Sequence, residues 1–552
     1  CISLFACLLP MISLTCARYQ AEEETSMRVL ICDGLRQQGV KIFQKVKNLE
    51  VEVREKIEPE ELLDVIPGCD GVVIRSRTKI GREVLERAPR LRVIGRAGIG
   101  VDNIDIEAAT QRGVLVMNTP GANAVAAAEH TMALMLALAR HIPRADESVR
   151  AGKWEKKKFV GTELYNQTLG IIGLGRIGSI VANRALGMRM RVLAFDPYVS
   201  EDVAAKLGVE LVSPQKLFRG SQFITIHTPF TKETEGLLDE AAFKMMKRGV
   251  RIVNCARGGI IDESALYEAI KKKKVAGAAL DVFSQEPPVN NPLLALPQVI
   301  ATPHLGASSE QAQKNVAVAI AEQMVDYLQN GLIRNAVNMP SMSPKMIEQI
   351  QPYMRLAERL GRFLSMYFQG SVRHLKISYG GDLRELELAP VTNAAQKGFL
   401  ERALADEVNL VNAPVIMRNR GIQVEVATTS EARGYAGLVT LAVVTDKGQS
   451  RVAGTVFPTP ECRIVGIDDY RVEASLEGRM LLISNYDRPG VIGFIGTTLG
   501  DHQVNIADMH LSRIRSKGTA ICLVTIDHPV TSAALQALKE YEDIIGVTEI
   551  EV

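Results

Sequence analysis

The chain has 552 residues, of which 47% are hydrophobic and 23% are charged. A chain of this length exceeds what one hydrophobic core supports, so three or four domains are expected. Lysine plus arginine (65) nearly balances aspartate plus glutamate (63), which leaves no net field to attract nucleic acid or a membrane. Any anionic ligand must therefore be bound by local charge.

The eight cysteines are widely separated along the chain and form no C-x-x-C pair. This spacing predicts neither a zinc site nor a disulfide framework, so no metal is expected. A reducing, cytoplasmic compartment fits the same pattern.

Residues 1–26 contain a short apolar run that has no basic flank and is too short to span a bilayer. Met27 then opens a segment typical of the first strand of an α/β domain. We expect residues 1–26 to be an extension outside the fold, and a cleaved signal peptide is the alternative.

From Met27 the chain alternates short β-rich runs with helical stretches, which is typical of a parallel α/β fold. Strands are predicted at residues 28–32, 51–55, 71–75, 92–95 and 114–118. A long helix over 122–141, apolar on nearly all sides, is predicted to be buried or in a subunit contact and to cross to the next domain. We expect residues 27–125, completed by 307–334, to form the first domain.

Residues 169–178 read Leu-Gly-Ile-Ile-Gly-Leu-Gly-Arg-Ile-Gly, an apolar strand that runs into a G-x-G-x-x-G turn. Gly173 permits the tight turn, Gly175 lets the backbone approach a pyrophosphate, and Gly178 lets the helix pack on the strand. A second strand ends 18 residues later at Asp196, whose carboxylate can bind ribose hydroxyls and repels a 2′-phosphate. The motif therefore predicts a Rossmann-type domain that binds NAD rather than NADP.

The predicted NAD-binding domain covers residues 126–306. Its further strands are predicted at 223–227, 250–255, 277–282 and 299–302. An amphipathic helix over 311–329 is expected to return to the first domain, and a polar segment with two prolines at 335–344 is typical of a linker. The first two domains together predict a doubly wound α/β core with a cleft between its halves.

Residues 335–475 mix helices and strands and show no catalytic constellation, so we expect an α+β intervening domain. Its helices are predicted over 345–368 and 394–411, and its strands over 372–379, 437–444 and 450–457. Residues 479–552 read strand, Arg-Pro-Gly turn, helix, strand, strand, helix, strand, which is close to a βαββαβ module. The size of this module suits a small ligand-sensing domain.

Three segments that follow strands of the NAD-binding domain carry side chains suited to the oxidation or reduction of a 2-hydroxy acid. Asn-Cys-Ala-Arg257-Gly-Gly places a planar guanidinium where it can bind a carboxylate through two hydrogen bonds. Pro-His304-Leu-Gly ends another strand with an imidazole, a general acid or base, and Glu286 can fix its tautomer. Because open α/β sheets bind ligands at the carboxyl ends of strands, these three side chains are predicted to meet. The other histidines lack such neighbours, namely His130, His141, His227, His374, His502, His510 and His528.

Four motifs together resemble the D-isomer-specific 2-hydroxyacid dehydrogenases. They are Gly-Leu-Gly-Arg-Ile-Gly, Asn-Cys-Ala-Arg-Gly-Gly, Ala-Leu-Asp-Val-Phe with Glu-Pro-Pro, and Pro-His-Leu-Gly-Ala-Ser. The resemblance extends from about Met27 to the C-terminus. It implies that Arg257, Glu286 and His304 are the catalytic residues. It also implies NAD contacts from Arg176, Ile177, Asp196, Thr228, Cys255, Ala256, Asp281 and Gly306.

Two further blocks are similar to the members of this family that act on 3-phospho-D-glycerate. They are Val-Ile-Arg-Ser-Arg-Thr-Lys at 73–79 with Gly-Arg-Ala-Gly-Ile-Gly-Val-Asp-Asn at 95–103, and Gly-Lys-Trp-Glu-Lys-Lys-Lys-Phe-Val-Gly-Thr-Glu at 152–163. The resemblance implies oxidation of 3-phospho-D-glycerate by NAD to 3-phosphooxypyruvate, the first step of L-serine biosynthesis.

The residues themselves are consistent with a phosphorylated substrate. Arg75, Lys79 and Arg96 lie at predicted strand ends that face the cleft, and the backbone N–H groups of 95–100 can add to a phosphate site. The alternative is that Arg75 and Arg96 form interdomain salt bridges with Asp102 or Asp105.

The resemblance also implies the long form of these enzymes, in which the intervening domain binds substrate or another anion and an ACT regulatory domain covers 479–552. Asn485, Asp487 and Asn505 correspond to positions where family members bind serine between paired ACT domains. Some serine-inhibited members have histidine and asparagine at the first two positions, so serine feedback stays open, with dimerisation alone as the alternative. The resemblance further implies a homotetramer.

Two other functions compete with this interpretation. One is a dehydrogenase for an unphosphorylated D-2-hydroxy acid, which would not need the three cations of the first domain. The other is an NADH-sensing binding protein, since one such group resembles this fold and keeps the same three polar residues. The ACT-like C-terminus, absent from that group, argues against the sensor.

Overall fold

The computed structural model describes residues 26–340, 344–404, 408–430, 432, 434–457 and 461–552. The interpretation of residues 1–26 as an extension lies outside the described residues except for Ser26. Within the described ranges, no helix is both long enough and apolar enough to cross a membrane.

A five-stranded parallel sheet forms the first unit, in the order β2-β1-β3-β4-β5. Its strands are β1 (Met27–Ile31), β2 (Leu49–Val53), β3 (Gly71–Ile74), β4 (Val93–Arg96) and β5 (Leu115–Met117). Its helices are α1 (Gln37–Gln44), α2 (Pro59–Val65), α3 (Arg82–Glu86) and α4 (Ile106–Gln111). Buried apolar clusters lie on both faces, as a doubly wound parallel sheet requires. The five predicted strands are therefore confirmed, with ends shifted by one or two residues.

A seven-stranded parallel sheet forms the second unit. Its strands are β6 (Thr168–Ile172), β7 (Arg191–Phe195), β8 (Glu210–Leu211), β9 (Phe223–Ile226), β10 (Val250–Asn254), β11 (Val275–Leu280) and β12 (Val299–Ala301). Its helices are α5 (Ala124–Arg140), α6 (Ile142–Arg150), α7 (Arg176–Gly187), α8 (Glu201–Lys206), α9 (Pro214–Gly220), α10 (Glu240–Met245) and α11 (Glu263–Lys271). The order β12-β11-β10-β9-β6-β7-β8 reverses between β6 and β9, and doubly wound sheets bind dinucleotides at such a switch point.

Two helices connect the first and second units. The crossover helix α5 buries apolar residues in the core that α7 and the second sheet share. Helix α12 (Glu310–Asn330) returns to the first sheet, where Val316, Ile320 and Met324 join its core. Position 95 requires glycine, because a Cβ there would overlap the Met324 sulfur. The first unit is thus completed by a helix that follows the second unit in the chain.

A six-stranded mixed sheet forms the third unit, in the order β14-β13-β15-β16-β17-β18, with only the β13–β14 pair parallel. Its strands are β13 (Val372–Gly381), β14 (Gln423–Thr429), β15 (Gly437–Thr445), β16 (Gly448–Val456), β17 (Cys462–Ile467) and β18 (Tyr470–Ser475). Its helices are α13 (Pro344–Tyr367), α14 (Ala389–Leu404) and α15 (Ala413–Asn419). Helices α13 and α14 pack on this sheet around one apolar core.

The helix predicted over 394–411 is wrong at residues 408–411, which are not helical, whereas α14 covers Ala389–Leu404 and residues 405–407 lie outside the described part of the chain. Asn409 Oδ1 accepts hydrogen bonds from the amides of Val411 (2.9 Å) and Asn412 (3.2 Å). Such local side-chain bonds compete with helix formation. Asn409 Nδ2 also donates to the carbonyl of Gly113 at 2.8 Å, so this turn attaches the third unit to the first.

An antiparallel four-stranded sheet forms the C-terminal unit, in the order β20-β21-β19-β22. Its elements are β19 (Arg479–Tyr486), α16 (Val491–Asp501), β20 (Ile506–Ile514), β21 (Thr519–Ile526), α17 (Ser532–Glu540) and β22 (Ile544–Glu551), which confirms the βαββαβ prediction. Met480, Leu482 and Ile550 belong to the same core as α13, so the last two units share apolar packing. Short 3-10 helices elsewhere lie at Ile66–Gly68, Lys156–Phe159, Pro292–Ala295 and Asp382–Glu385.

Candidate active site

The glycine-rich turn between β6 and α7 has no room for a side chain at two of its three glycines. Gly173 has φ of +91°, and a Cβ there would lie 2.7 Å from the His227 carbonyl oxygen. A Cβ at Gly178 would overlap the Gly173 carbonyl, whereas the position at Gly175 is open, with no atom within 4 Å. No side chain caps α7 at Gly175. The first N–H groups of this helix therefore stay available, and the turn fits the pyrophosphate of NAD.

Asp196 directly follows β7, beside the glycine-rich turn. Its Oδ2 accepts a hydrogen bond from the Leu174 amide and its Oδ1 one from the Tyr198 amide, both at 2.8 Å. Each carboxylate oxygen keeps a lone pair that a ribose hydroxyl can use. A negative charge at this position fits NAD and repels the 2′-phosphate of NADP.

A cleft of about 1390 Å³ lies between the first and second units. It brings together predicted residues from distant segments, namely Arg75, Lys79, Arg96, Arg176, Ile177, Thr228, Cys255, Ala256, Arg257, Glu286, His304 and Gly306. Five other predicted residues are not among its lining residues, namely Gly173, Gly175, Gly178, Asp196 and Asp281.

Several buried polar atoms that line the cleft lack a hydrogen-bond partner among the described residues. They include Arg96 Nε, Asn123 Oδ1 and Thr228 Oγ1. Buried polar groups in proteins are normally paired, so these atoms fit contacts with a bound ligand. Asn123, at the start of α5, was not predicted from the sequence, because nothing in its local motif indicates that the crossover helix begins at the cleft.

His304 and Glu286 form a pair at the cleft, with His304 Nδ1 2.8 Å from Glu286 Oε2. Glu286 Oε1 also accepts the Phe283 amide at 3.2 Å. Burial raises the pKa of Glu286, but the hydrogen bond and charge of His304 outweigh burial, and the net pKa lies below 4.5. An ionised carboxylate accepts the proton on Nδ1, so Nε2 of the neutral ring is free to take a proton from a substrate.

Arg257 lies just beyond β10 and reaches across the cleft to the first unit. Its Nε donates to Asp102 Oδ2 at 2.8 Å, and its Nη1 donates to the Ala256 carbonyl at 2.7 Å. The side chain of Asn254 braces this turn, accepting the Ala256 amide and donating to the Arg257 carbonyl. The ion pair across the domains is therefore formed by Arg257 and Asp102. The alternative that Arg75 or Arg96 pairs with Asp102 or Asp105 is wrong in its partners, since Asp105 caps α4.

The cationic side of the cleft is built on a turn that Asp33 organises. Asp33 accepts hydrogen bonds from the amides of Arg75 (2.9 Å) and Thr78 (3.0 Å), and from the Thr78 hydroxyl (2.8 Å). Burial and, to a smaller extent, the charge of Arg257 lower the pKa of Arg96 to about 10, so Arg96 is still a cation at neutral pH. Two more cations, Arg36 and Arg77, also line the cleft. Arg77 stands in the same Arg-Ser-Arg motif as Arg75, which was a usable signal.

Asp281 supports the site from behind. Its side chain is fully buried and accepts hydrogen bonds from the Thr302 hydroxyl (2.6 Å) and from the amides of Leu305 (2.7 Å) and Gly306 (2.8 Å). His130 Nε2 lies 3.1 Å from the same carboxylate, so the prediction that His130 lacks polar neighbours is wrong. A direct contact between NAD and the Asp281 side chain does not fit this burial.

His130, Cys255 and Asp281 bring a ring nitrogen, a thiol sulfur and a carboxylate oxygen within 4.8 Å of one another. Four donors already occupy the carboxylate, and burial raises the pKa of the Cys255 thiol to about 12. Metal ligands must be deprotonated and free to coordinate, so this cluster fits hydrogen bonding rather than a metal site.

The predicted effector residues are bonded to three different partners in the C-terminal unit. Asn485 is buried and donates to the Tyr486 carbonyl at 2.7 Å. Asp487 lies 3.8 Å from Arg513, and Asn505 donates to Asp527 Oδ2 at 2.6 Å.

A doubly wound sheet with a dinucleotide turn, and a cleft that holds an imidazole, a carboxylate and a guanidinium, define an NAD-dependent dehydrogenase of 2-hydroxy acids. Family models agree: "D-isomer specific 2-hydroxyacid dehydrogenase, NAD binding domain" matches residues 132–306, "D-3-phosphoglycerate dehydrogenase intervening domain" matches 349–468, and "ACT domain" matches 479–543.

Similar proteins match over almost the whole chain. The D-3-phosphoglycerate dehydrogenase of Archaeoglobus fulgidus is 44% identical over 95% of this chain and 100% of its own length. That of Bacillus subtilis is 39% identical over 95% and 99%. A D-lactate dehydrogenase structure from Aquifex aeolicus, complexed with NAD and lactic acid, is 28% identical, covers 57% of this chain and 100% of that one, and has a TM-score of 0.52. The chain belongs to the D-3-phosphoglycerate dehydrogenase family.

Proposed function

We propose that this chain catalyses the NAD-dependent oxidation of 3-phospho-D-glycerate to 3-phosphooxypyruvate, the first step of L-serine biosynthesis. The observation that carries the proposal is the cleft itself, where the His304–Glu286 pair and Arg257 share one space with the cations of the first unit. The relatives that bear the name D-3-phosphoglycerate dehydrogenase match this chain over nearly their full length, which supports the same activity here.

Arg257 binds the substrate carboxylate. Its Nε and Nη1 are held by Asp102 and Ala256, which fixes the plane of the guanidinium. A fixed planar fork binds a carboxylate with less loss of side-chain entropy than a flexible lysine does. The carbon that bears the hydroxyl is then oriented relative to His304.

His304 takes the hydroxyl proton on Nε2 while Glu286 holds Nδ1. The O–H bond breaks toward the imidazole, the C2–H bond breaks with its electron pair, and C2 becomes a carbonyl carbon. NAD held at the glycine-rich turn and Asp196 would supply the hydride acceptor for this oxidation. The negative charge of Glu286 stabilises the imidazolium formed in this step, and position and charge together account for the acid–base contribution.

Arg75, Lys79 and Arg96 bind the substrate phosphate. Arg96 supports this role most directly, because its buried Nε has no partner among the described residues while its Nη1 contacts only the Ala97 carbonyl, at 3.3 Å. A phosphate dianion supplies the acceptors that such a guanidinium lacks.

The test compares 3-phospho-D-glycerate with unphosphorylated D-glycerate in parent, Arg75→Ala and Arg96→Ala proteins. We expect kcat/KM for the phosphorylated substrate to fall by about 10- to 150-fold, since each lost charge-assisted bond is worth roughly 1.5–3 kcal/mol. Activity toward D-glycerate should change little. Arg82→Ala removes a cation of the same unit that does not line the cleft and is the matched control.

The outcome separates the competing functions. If both variants keep the parental kcat/KM for 3-phospho-D-glycerate, the assignment of these cations to the phosphate fails. If the parent protein oxidises an unphosphorylated D-2-hydroxy acid in preference to 3-phospho-D-glycerate, a dehydrogenase for that acid replaces the proposal. If the parent protein binds NADH but oxidises no hydroxy acid in a substrate screen, the NADH-sensing interpretation replaces catalysis.

The proposal includes a domain division that follows the sheets. The substrate-binding domain comprises residues 27–125 and 307–334, the NAD-binding domain 126–306, the intervening domain 335–475 and the ACT domain 479–552. The turn at Asn409 and the core shared with α13 then connect the regulatory end of the chain to the substrate-binding domain.

We further propose a homotetramer with two kinds of interface. Exposed large apolar side chains concentrate around α5 and α6, with Trp154 85% and Val160 78% exposed. Apolar patches of this kind on a folded surface mark association sites. Leu511 and Ile545 are also exposed, on the edge strands β20 and β22 of the C-terminal sheet. Sedimentation of the parent and a Trp154→Ala variant tests the first interface, and an unchanged mass would contradict it.

L-Serine is the proposed effector of the ACT domain, through Asn485, Asp487 and Asn505. Calorimetric titration with serine, repeated on Asn505→Ala, tests binding, and equal heats for both proteins would contradict the assignment.

A reducing, cytoplasmic compartment fits the described cysteines, Cys32, Cys69, Cys255, Cys462 and Cys522, all buried and free.

A further inference from the structure

A second histidine–carboxylate pair lies directly beneath the first. His130 projects from α5 with one fifth of its side chain exposed, and its Nε2 lies 3.1 Å from Asp281 Oδ1 and 3.3 Å from Thr302 Oγ1. The pair is separate from His304 and Glu286, which face the substrate. The proposed reaction uses the His304–Glu286 pair and leaves the role of the His130–Asp281 pair open.

The Asp281 carboxylate organises the whole turn that carries His304. Asp281 accepts the Thr302 hydroxyl and the amides of Leu305 and Gly306 on its side chain, and its backbone carbonyl accepts the His304 amide at 2.9 Å. Pro303 is the one residue between 302 and 306 whose backbone nitrogen has no hydrogen to donate. The orientation of the His304 ring therefore depends on where Asp281 is held.

The turn needs this support because its backbone is strained. His304 has φ of +54°, in the left-handed region that residues with a Cβ rarely adopt. Such conformations cost of order 1–3 kcal/mol and persist only when surrounding contacts determine them. Without a firmly held Asp281, the turn would relax and His304 would leave its partner Glu286.

His130 is the donor to Asp281 that comes from outside this part of the chain. The other donors to the Asp281 side chain all lie within residues 302–306. Backbone hydrogen bonds fix the main chain of Asp281 to β10 and that of Thr302 to β11, so His130 is the contact that fixes the carboxylate group itself against the rest of the domain. His130 belongs to the crossover helix α5, in which the nearby residues Thr131 and Met135 are buried in the domain core. Asp281 is fully buried, and a buried carboxylate that loses a donor is destabilised in its ionised form.

We propose that His130 is a positioning residue, which donates from Nε2 to Asp281 and thereby fixes the Thr302–Gly306 turn so that the His304 ring meets both Glu286 and the substrate. His130 itself touches neither substrate nor the transferred proton. The inference rests on the proposed dehydrogenase activity.

The experiment compares His130→Leu, His130→Gln and His130→Asn in the full-length protein. The amide nitrogen of glutamine reaches the position of Nε2, whereas that of asparagine stops at the position of Nδ1. We expect His130→Leu and His130→Asn to lose about 10- to 100-fold in kcat, the usual cost of a displacement near 1 Å at a reacting group. His130→Gln should recover most of that loss, and NADH affinity should be parental in all three.

Thr131→Val is the matched control. Thr131 is buried next to His130 on the same helix and donates to the Ala127 carbonyl within that helix. Its loss should lower the melting temperature and leave kcat near the parental value. Damage to helix packing alone would affect Thr131→Val and His130→Leu alike.

Three results would overturn the inference: parental kcat in folded His130→Leu, equal losses in the glutamine and asparagine variants, or loss of NADH binding in parallel with kcat. The glutamine–asparagine comparison still decides the matter if the leucine variant does not fold. Failure of the proposed function is distinguishable, because the parent protein itself would then fail to oxidise 3-phospho-D-glycerate.

Discussion

Replacing Gly100 with alanine tests whether the position of Arg257 sets substrate affinity. A Cβ at Gly100 would lie 1.7 Å from Arg257 Nη2 and 2.8 Å from Asp102 Oδ2. An ordinary contact begins near 3.4 Å, so the guanidinium must retreat by about 1.7 Å. The variant leaves the Arg257 and Asp102 side chains chemically unchanged, so it tests the position of the guanidinium separately from its charge.

The expected effect follows from the bond that would be lost. A guanidinium displaced by this distance no longer makes two hydrogen bonds to the substrate carboxylate, and charge-assisted bonds are worth roughly 1.5–3 kcal/mol. We therefore expect kcat/KM for 3-phospho-D-glycerate to fall by about 10- to 150-fold. The NADH dissociation constant should not change, because the glycine-rich turn of the nucleotide site is on the other unit.

Steady-state NADH formation gives kcat/KM, and NADH fluorescence titration gives cofactor affinity. Gly81→Ala is the matched control, because Gly81 belongs to the same unit, has φ of −91° and has no atom within 4 Å of a Cβ. It should behave as the parent does. A Gly100→Ala protein with parental kcat/KM would refute the reasoning, since the guanidinium would then be free to move without cost to binding.

Three other predictions concern the acid–base pair and the cofactor. His304→Ala should lower kcat by about 10²- to 10⁴-fold with NADH affinity intact, and a near-parental kcat would exclude its role as base. Asp196→Asn keeps an acceptor for the Leu174 amide but removes the charge, so the ratio of kcat/KM for NADP to that for NAD should rise at least about tenfold; an unchanged ratio would contradict it. Glu286 has a folded-state pKa lowered below its ordinary 4.5, so its ionised form, held by His304 and the Phe283 amide, stabilises the fold above that pH and loses this contribution as pH falls through the folded value. The difference in melting temperature between parent and Glu286→Gln should shrink below pH 4.5, and a constant difference would contradict it.

The parallel core could be predicted well because its strands are buried on both faces. A run such as Phe223–Ile226 is apolar or β-branched throughout, lies between helices and has no competing interpretation of similar length. The glycine-rich turn could be predicted equally well, since Gly173 and Gly178 each lie where a Cβ would overlap a carbonyl group. Burial of a strand and exclusion of a Cβ both restrict the residue types at the positions concerned, so the local sequence is enough to predict them.

His130 could not be predicted because its partner is 151 residues away. On the sequence it is one polar residue in an alanine-rich helix, and its neighbours give no reason to expect a carboxylate opposite. The same limit explains the helix predicted over 394–411. Its apolar pattern in the sequence continues past Leu404. In the structure the Asn409 and Asn412 side chains bind the backbone of a turn, and Asn409 also contacts Gly113 of the first unit, which the local sequence cannot indicate.

The glycines of the first unit have a second role besides the one predicted. Residues 95–100 were expected to offer backbone N–H groups to a phosphate, which stays a prediction, and Gly98 and Gly100 also lie where a Cβ would overlap the guanidinium groups of Arg96 and Arg257. Arg96 is two residues from Gly98, whereas Arg257 follows a strand of the second unit. The glycines therefore provide volume for two cations that would otherwise be excluded from the cleft wall. Since a Cβ at Gly100 would also approach Asp102, the glycine at this position is what allows the Arg257 ion pair with Asp102, 2.8 Å long, to join the two units at the cleft wall.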